Sequence, residues 1–324
     1  MLPEFNLIER YFKRAGHSPD SNNNSVITGI GDDAAVISPA ADAELVIATD
    51  AIVEGVHFPV YTPAHAVGYR ALAVNLSDLA AMGAKPRWAN LALSLPEPSE
   101  EWVEQFAAGF FSLADAYGIA LIGGDTVSGP LMASVTLQGE VAKGQSVLRS
   151  GANDGDGIYV TGHPGDAVAG RLCDGTGKAD HYLADCFLYP VPRVKEGMQL
   201  GSVASAMIDV SDGLNADLTH LLHASGVGAE LDVSALPVSS ELLASVGEEQ
   251  AIAMALTGGD DYELCFTVAD ENEPALQDLS ASWDCPVTRI GTVVAAAGVT
   301  WRQLGDVYEV AAGFDHFSGA YDDS

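Results

Sequence analysis

Positive charge is scarce in this sequence. Lysine and arginine together supply 14 of its 324 residues, against 45 aspartates and glutamates, for a formal net charge of −31. A chain this acidic lacks the basic patch that neutralises a phosphate backbone, which argues against nucleic-acid binding. Long apolar runs are missing too: none approaches the roughly 18 residues that a membrane span requires. Met1 to Tyr11 carries Glu4 and Glu9 and has no apolar core of a secretory signal. The expectation is a cytoplasmic protein with no membrane partner. Cysteine is limited to Cys173, Cys186, Cys265 and Cys285, without CxxC spacing or a neighbouring histidine pattern. That argues against a zinc site or a disulfide framework and for scattered reduced thiols. A Walker A loop is absent, since Gly177 and Lys178 are followed by alanine, and kinase-type catalytic-loop strings are absent as well.

What is present is apolar enough to fold. Hydrophobic residues make up 48% of a chain long enough for two domains. Short apolar runs alternate with helical patterns, which predicts a mixed α/β (α+β) architecture with sheets covered by helices. Strands are expected at Glu44 to Thr49, Met132 to Val141, Ile119 to Ile122, Ile158 to Thr161 and Met207 to Val210. Helices are expected at Ala64 to Met82, stopped by Gly83, and at Asn215 to Ala224. Ser99 reads as the N-cap of another helix, with the apolar stripe Trp102, Phe106, Phe110, Leu113 and Tyr117, stopped by Gly118. The Leu214, Leu218, Leu221 and Leu222 stripe reads as core. Ser150, Gly151, Asn153, Asp154, Gly155 and Gly157 cluster at a boundary, giving domains 1–148 and 149–324. Gly313 to Ser324 is short, aromatic and acidic, either a lid or a frayed tail.

Aspartates recur beside glycines or at expected strand ends: Asp32 and Asp33 after Gly29 and Gly31, Asp50, Asp125 after Gly123 and Gly124, Asp209 and Asp212, and Asp260 and Asp261 after Gly258 and Gly259. Carboxylates gathered without cations repel one another, and burying them unpaired is costly. Magnesium removes both problems, because it takes carboxylate oxygens and bridges substrate phosphates. Gly29, Gly31 and Ala34 formally fit a dinucleotide fingerprint. That reading fails, because Asp32 and Asp33 would point negative charge at a pyrophosphate and the extended run Ala35 to Ile37 follows in place of a helix. Asn75 and Asp78 share one helix face among apolar neighbours, so Asp78 is either a ligand, a structural group or an exposed one. Asp212 is either a ligand or a helix N-cap. His57 follows a loop glycine, and Arg149 is a surface arginine or a phosphate clamp.

Eight strings carry a resemblance. They are Gly29-Ile30-Gly31-Asp32-Asp33-Ala34, Thr49-Asp50, His57-Phe58, Ala73 to Gly83, Ile122-Gly123-Gly124-Asp125-Thr126, Arg149-Ser150-Gly151-Ala152, Ile208 to Leu214 and Gly258 to Leu264. In this order, across nearly the full chain, they resemble thiamine-monophosphate kinases, of the aminoimidazole-ribonucleotide-synthetase-like superfamily. The resemblance implies an N-terminal domain that binds ATP and magnesium and pairs with a second copy, and a C-terminal α/β domain that completes the active site. It implies ATP-dependent phosphorylation of thiamine monophosphate to thiamine diphosphate with several Mg2+ ions. It implies a homodimer whose N-terminal sheets share one barrel. By the same resemblance Asp33, Thr49, Asp50, Asp78, Asp125, Asp209 and Asp212 match magnesium positions. Gly124, Asp125, Arg149 and Ser211 match ATP positions, and His57, Asp260 and Phe314 match positions holding the thiamine phosphate.

Two residues depart from the pattern. Ala48 stands where the family usually has a hydroxyl, which leaves only its backbone carbonyl for a metal, and Asp260 stands where glutamate is usual. The chemistry agrees with the residue types, since phosphoryl transfer needs positioning and charge neutralisation more than covalent help. Two competitors remain: another synthetase of the superfamily, and a non-catalytic metal- or nucleotide-binding module.

Overall fold

The computed structural model describes residues 4–13, 25–97, 99–172 and 178–310. Its contacts divide into two units, Met1–Ser146 with Val191–Gly201, and Val147–Pro190 with Ser202–Ser324.

The first unit opens with α1 (Glu4–Leu7), a π-turn at Ile8–Phe12 and the hairpin β1 (Val26–Thr28) and β2 (Val36–Ile37). Then come β3 (Ala43–Val53), α2 (Ala64–Ala81), β4 (Lys85–Leu95), α3 (Glu100–Tyr117), β5 (Ala120–Ser128) and β6 (Met132–Ala142). Four of these strands form a mixed sheet in the order β3-β6-β4-β5, with β4 and β5 parallel and the other pairs antiparallel. Strands β3 and β5 are therefore its two edges. Residues alternate between faces, so Ala133, Val135 and Leu137 are buried while Ser134, Thr136 and Gln138 are half-exposed. Helix α2 packs on β3 and β6, and α3 packs on α2. The Ser99 hydroxyl accepts the Trp102 N–H at 3.4 Å, and Gly118 ends α3 in the left-handed region at φ 66°, as the sequence predicts. The hairpin sets Val26 and Ile37 against Trp88, Ala120 and Ile122.

The second unit contains β7 (Gly157–Thr161), α4 (Asp166–Leu172), α5 (Lys178–Leu188), and, after α6 (Val194–Leu200) of the first unit, β8 (Ala204–Val210) and α7 (Leu214–Ser225). It continues through β9 (Gly228–Asp232), α8 (Ser240–Val246), α9 (Glu248–Thr257), β10 (Glu263–Val268), α10 (Glu273–Ser280), β11 (Val287–Val294), β12 (Gly298–Gln303) and β13 (Asp306–Tyr308). Seven strands form a mixed sheet, β13-β12-β9-β11-β7-β10-β8. The leucine stripe of α7 is core: Leu214, Leu218, Leu221 and Leu222 are at most 2% exposed.

Two strands outrun their sequence limits. Strand β3 extends to Val53, so Asp50 lies inside it, and β5 extends to Ser128, so Gly123, Gly124 and Asp125 lie within the strand. Lateral pairing carries both on, since β3 stays in register with β6 to Met132 and β5 with β4 to Leu95. No helix of the described residues is long and apolar enough to cross a membrane.

Candidate active site

In the first unit the hairpin loop from Gly29 to Ala35 closes over a cavity of about 940 Å3. Glu9, Asp32, Asp33 and Asp125 line it, against one lining cation, Lys13, which bonds Glu9 Oε1 at 3.2 Å. Each aspartate of the pair Asp32 and Asp125 has one oxygen tied locally: Asp32 Oδ1 accepts the Asp33 N–H at 2.9 Å, and Asp125 Oδ1 accepts the Thr126 N–H at 2.8 Å. Strand β2, not a helix, follows the loop, which agrees with rejecting the dinucleotide fingerprint. Gly124 (φ 148°) has a packing reason for lacking a side chain, because a Cβ there would strike the Leu91 carbonyl.

Register fixes the other first-unit residues. Thr49 stands opposite Thr136, Thr136 opposite Asn90, and Asn90 opposite Gly123. The Thr49 and Thr136 hydroxyls lie 2.9 Å apart, and Gln138 donates to Asn90 Oδ1 at 3.1 Å. Asp50 points to the other face of β3, and its N–H donates to Asn75 Oδ1 at 3.1 Å. Asn75 is wholly buried and donates back to Ala71 O, so α2 pins the strand at Asp50. Asp78 is half-buried, one helical turn further on in α2. Three strand spacings, about 14 Å, separate the β3 edge bearing Thr49 and Asp50 from the β5 edge bearing Asp125. Asp33 and Asp125 thus share a cavity while Asp50 stands across the sheet. His57 sits in the turn after β3 with Nδ1 accepting the Val53 N–H at 3.1 Å, which places its proton on Nε2.

In the second unit Asp209 is 5% exposed on β8, and Ser211 and Asp212 follow it in a turn. The cap of α7 is not Asp212. Gly213 holds that position without a side chain, and Asp217 reaches back from the first turn, where its Oδ2 accepts the Ser211 and Asp212 N–H groups at 3.0 Å each. Burial first, and then the charge of Asp209, push the Asp217 acid up to about 7. Sequence reading missed Asp217; its one signal is an acidic residue in the first turn of a helix whose N-cap has no side chain. Arg149 is exposed, and its segment winds around the far end of α7: Ser225 Oγ accepts the Gly151 and Ala152 N–H groups at 3.2 Å and donates to Arg149 O at 3.1 Å. Ser211 and Arg149 therefore sit at opposite ends of a 12-residue helix, about 18 Å of rise. Asp260 adopts φ 70°, its N–H donates to Ser211 O at 2.9 Å, and its Oδ1 accepts the Tyr262 hydroxyl at 3.2 Å. Phe314, the segment Gly313 to Ser324 and Cys173 lie outside the described residues.

The donor chemistry fits magnesium. Asp33, Asp50, Asp125 and Asp212 pair with no lysine or arginine among the described residues, and hard carboxylate oxygens are the ligands that ion takes. Among the described residues of one chain, however, no three acidic, histidine or cysteine side chains already form a metal cage.

Residues 31–141 match the family model described as AIR synthase related protein, N-terminal domain, and residues 153–302 match the corresponding C-terminal domain. A curated thiamine-monophosphate kinase from Salmonella typhimurium is 46% identical over 97% of this chain and 98% of its own. The chain belongs to the thiamine-monophosphate kinase family. A family member from Haemophilus influenzae is 41% identical over 98% of both chains. The crystal structure of thiamine-monophosphate kinase from Stenotrophomonas maltophilia K279a superposes with a TM-score of 0.86 at 46% identity, over 95% of this chain and 98% of that one. A structure described as AaThiL complexed with AMPPCP and TMP matches at 34% identity with a TM-score of 0.73, over 84% and 87%. The mixed α/β fold in two AIR synthase related domains is that of this kinase family.

Proposed function

We propose that this chain transfers the γ-phosphate of ATP to thiamine monophosphate, giving thiamine diphosphate, by direct in-line attack with magnesium, as a cytoplasmic homodimer. The observation that carries this reading is the acidic cavity of the first unit, which both Asp33 and Asp125 line and where neither pairs with a lysine or arginine among the described residues. Bound magnesium would neutralise and align the phosphates. Asp33, Thr49, Asp50, Asp78 and Asp125 are its proposed ligands in the first unit, and Asp209 and Asp212 in the second; Ala48 offers a backbone carbonyl.

Gly124, Asp125, Arg149 and Ser211 are assigned to ATP. The separation of Arg149 from Ser211 along α7 suits two ends of one nucleotide better than two contacts to one phosphate. His57 is assigned to the acceptor phosphate. Asp260 and Phe314 are assigned to the thiamine side. An acceptor phosphate arrives ionised, so no general base is needed. Cysteine nucleophiles are disfavoured: burial pushes the Cys186 thiol up to about 12 and the Cys265 thiol far above its usual range.

The sheet supports the homodimer. Leu45, Ile47 and Val127 are 43%, 61% and 50% exposed on the face that α2 leaves open. If two such sheets close into a ring about a twofold along its axis, the β5 edge of each copy meets the β3 edge of the other. Asp125 would then stand near Thr49 and Asp50 of a second chain.

The test is product stoichiometry. ADP and thiamine diphosphate should form one for one, and only with ATP, thiamine monophosphate and magnesium all present. ATP hydrolysis indifferent to the acceptor would contradict the reading.

A further inference from the structure

The segment entering β10 is held from both sides. Strand β10 lies between β7 and β8. On the β8 side the backbone does the holding: Asp260 N–H donates to Ser211 O at 2.9 Å and Tyr262 N–H to Val210 O at 2.8 Å. On the β7 side a side chain does it. Asp261, 9% exposed, turns its carboxyl the opposite way and accepts the Gly165 N–H at 2.8 Å on Oδ2 and the Ala167 N–H at 3.1 Å on Oδ1. Gly165 ends the loop joining β7 to α4, and Ala167 lies in the first turn of α4. Asp261 is flanked by Asp260 at φ 70° and Tyr262 at φ 52°, two of the four non-glycine residues in the left-handed region among those described. Such a residue is strained and persists only where its surroundings over-determine it.

We propose that Asp261 is a positioning residue for the acceptor substrate, clamping the strained turn so that Asp260 presents its carboxylate in one orientation. The inference rests on the assignment of Asp260 to the thiamine phosphate. Three observations support it. The two buried hydrogen bonds of Asp261 reach the β7–α4 junction, on the opposite side of β10 from the Ser211 contact, so they hold the turn from a second side. The Tyr262 hydroxyl, held by the other strained residue, bonds Asp260 Oδ1, which couples the turn's shape to the carboxylate's direction. Burial first, and then the charges of Glu263 and Asp166, push the Asp261 acid well up, so a neutral side chain of the same shape is a fair replacement electrostatically. Asparagine keeps one acceptor oxygen and replaces the other with an amide that cannot accept.

The experiment compares Michaelis constants in the wild type, Asp261→Asn, Asp260→Ala and the double variant. Asp261→Asn should raise KM for thiamine monophosphate at least 10-fold and leave KM for ATP within about threefold. The double variant should show the same acceptor KM as Asp260→Ala alone, because Asp261 acts through Asp260. An unchanged acceptor KM, an equal rise in both constants, or additive effects would each overturn the proposal. Acceptor-independent turnover by the wild type would instead remove the assigned function, and the clamp with it. Should Asp261→Asn not fold, Ala167→Pro removes one of the two donors in the first turn of α4, where proline is tolerated; the same selective rise supports the clamp, and no rise refutes it.

Discussion

At the scale of single residues, position along the chain was legible and burial was not. The glycine-marked aspartates Asp33 and Asp125 both line one cavity. Asp261 was unassigned because its N–H donors come from a distant stretch of the chain, and Asp217 because its partners are backbone N–H groups five and six residues back that no side-chain motif marks. Asp217 yields a pH prediction. Its folded acid titrates near 7, above the ordinary carboxylate value, so the folded state binds the proton more tightly. Its contribution is therefore fully present below about pH 4 and is lost as pH rises through about 7. Magnesium-free wild type should lose more stability between pH 5 and 7.5 than Asp217→Asn, whose remaining oxygen still accepts both N–H groups. Denaturant unfolding at the two pH values checks this, and parallel losses would refute it. Asp260 gives a second prediction. At φ 70° glycine removes strain, so Asp260→Gly should be as stable as wild type or about 0.5–1 kcal/mol more stable while its acceptor KM rises. Asp260→Ala should raise the acceptor KM too but lose stability.

At the scale of elements, periodicity and caps located the helices well, because Ser99, Gly118 and the α7 leucines act locally. Strand ends were read short, because β3 and β5 are prolonged by pairing partners that local sequence does not show. Asn75 displays the same limit. Its place on α2 was visible, but its bond to the Asp50 N–H depends on tertiary packing. Asn75→Ala should cost about 1–3 kcal/mol, the usual penalty for a buried group left unsatisfied, and should lower kcat more than an exposed substitution of equal cost, such as Ser99→Ala in the α3 cap. Thermal unfolding together with initial rates separates the two effects; equal kcat in both variants would show that the anchor has no bearing on Asp50.

At the scale of the molecule, the scarcity of lysine and arginine leaves the carboxylates to be balanced by ions and not by side chains. The mixed α/β character was legible in the alternation of apolar runs, while the return of Val191–Gly201 to the first unit was not, since packing against α2 and a Tyr117 hydroxyl bond to Pro192 O, not local sequence, hold it there. The open sheet face carries the assembly prediction. Ile47→Asp should turn a dimer into a monomer by light scattering and cut activity at least 10-fold, whereas a fully active monomer would detach catalysis from pairing. The central claim, direct transfer from ATP to thiamine monophosphate, is tested most directly by stereochemistry. With ATP made chiral at a γ-thiophosphate, one in-line attack inverts configuration at the transferred phosphorus. The account predicts inversion in the thiamine diphosphate product; net retention, the mark of a phosphoenzyme and two displacements, would contradict it.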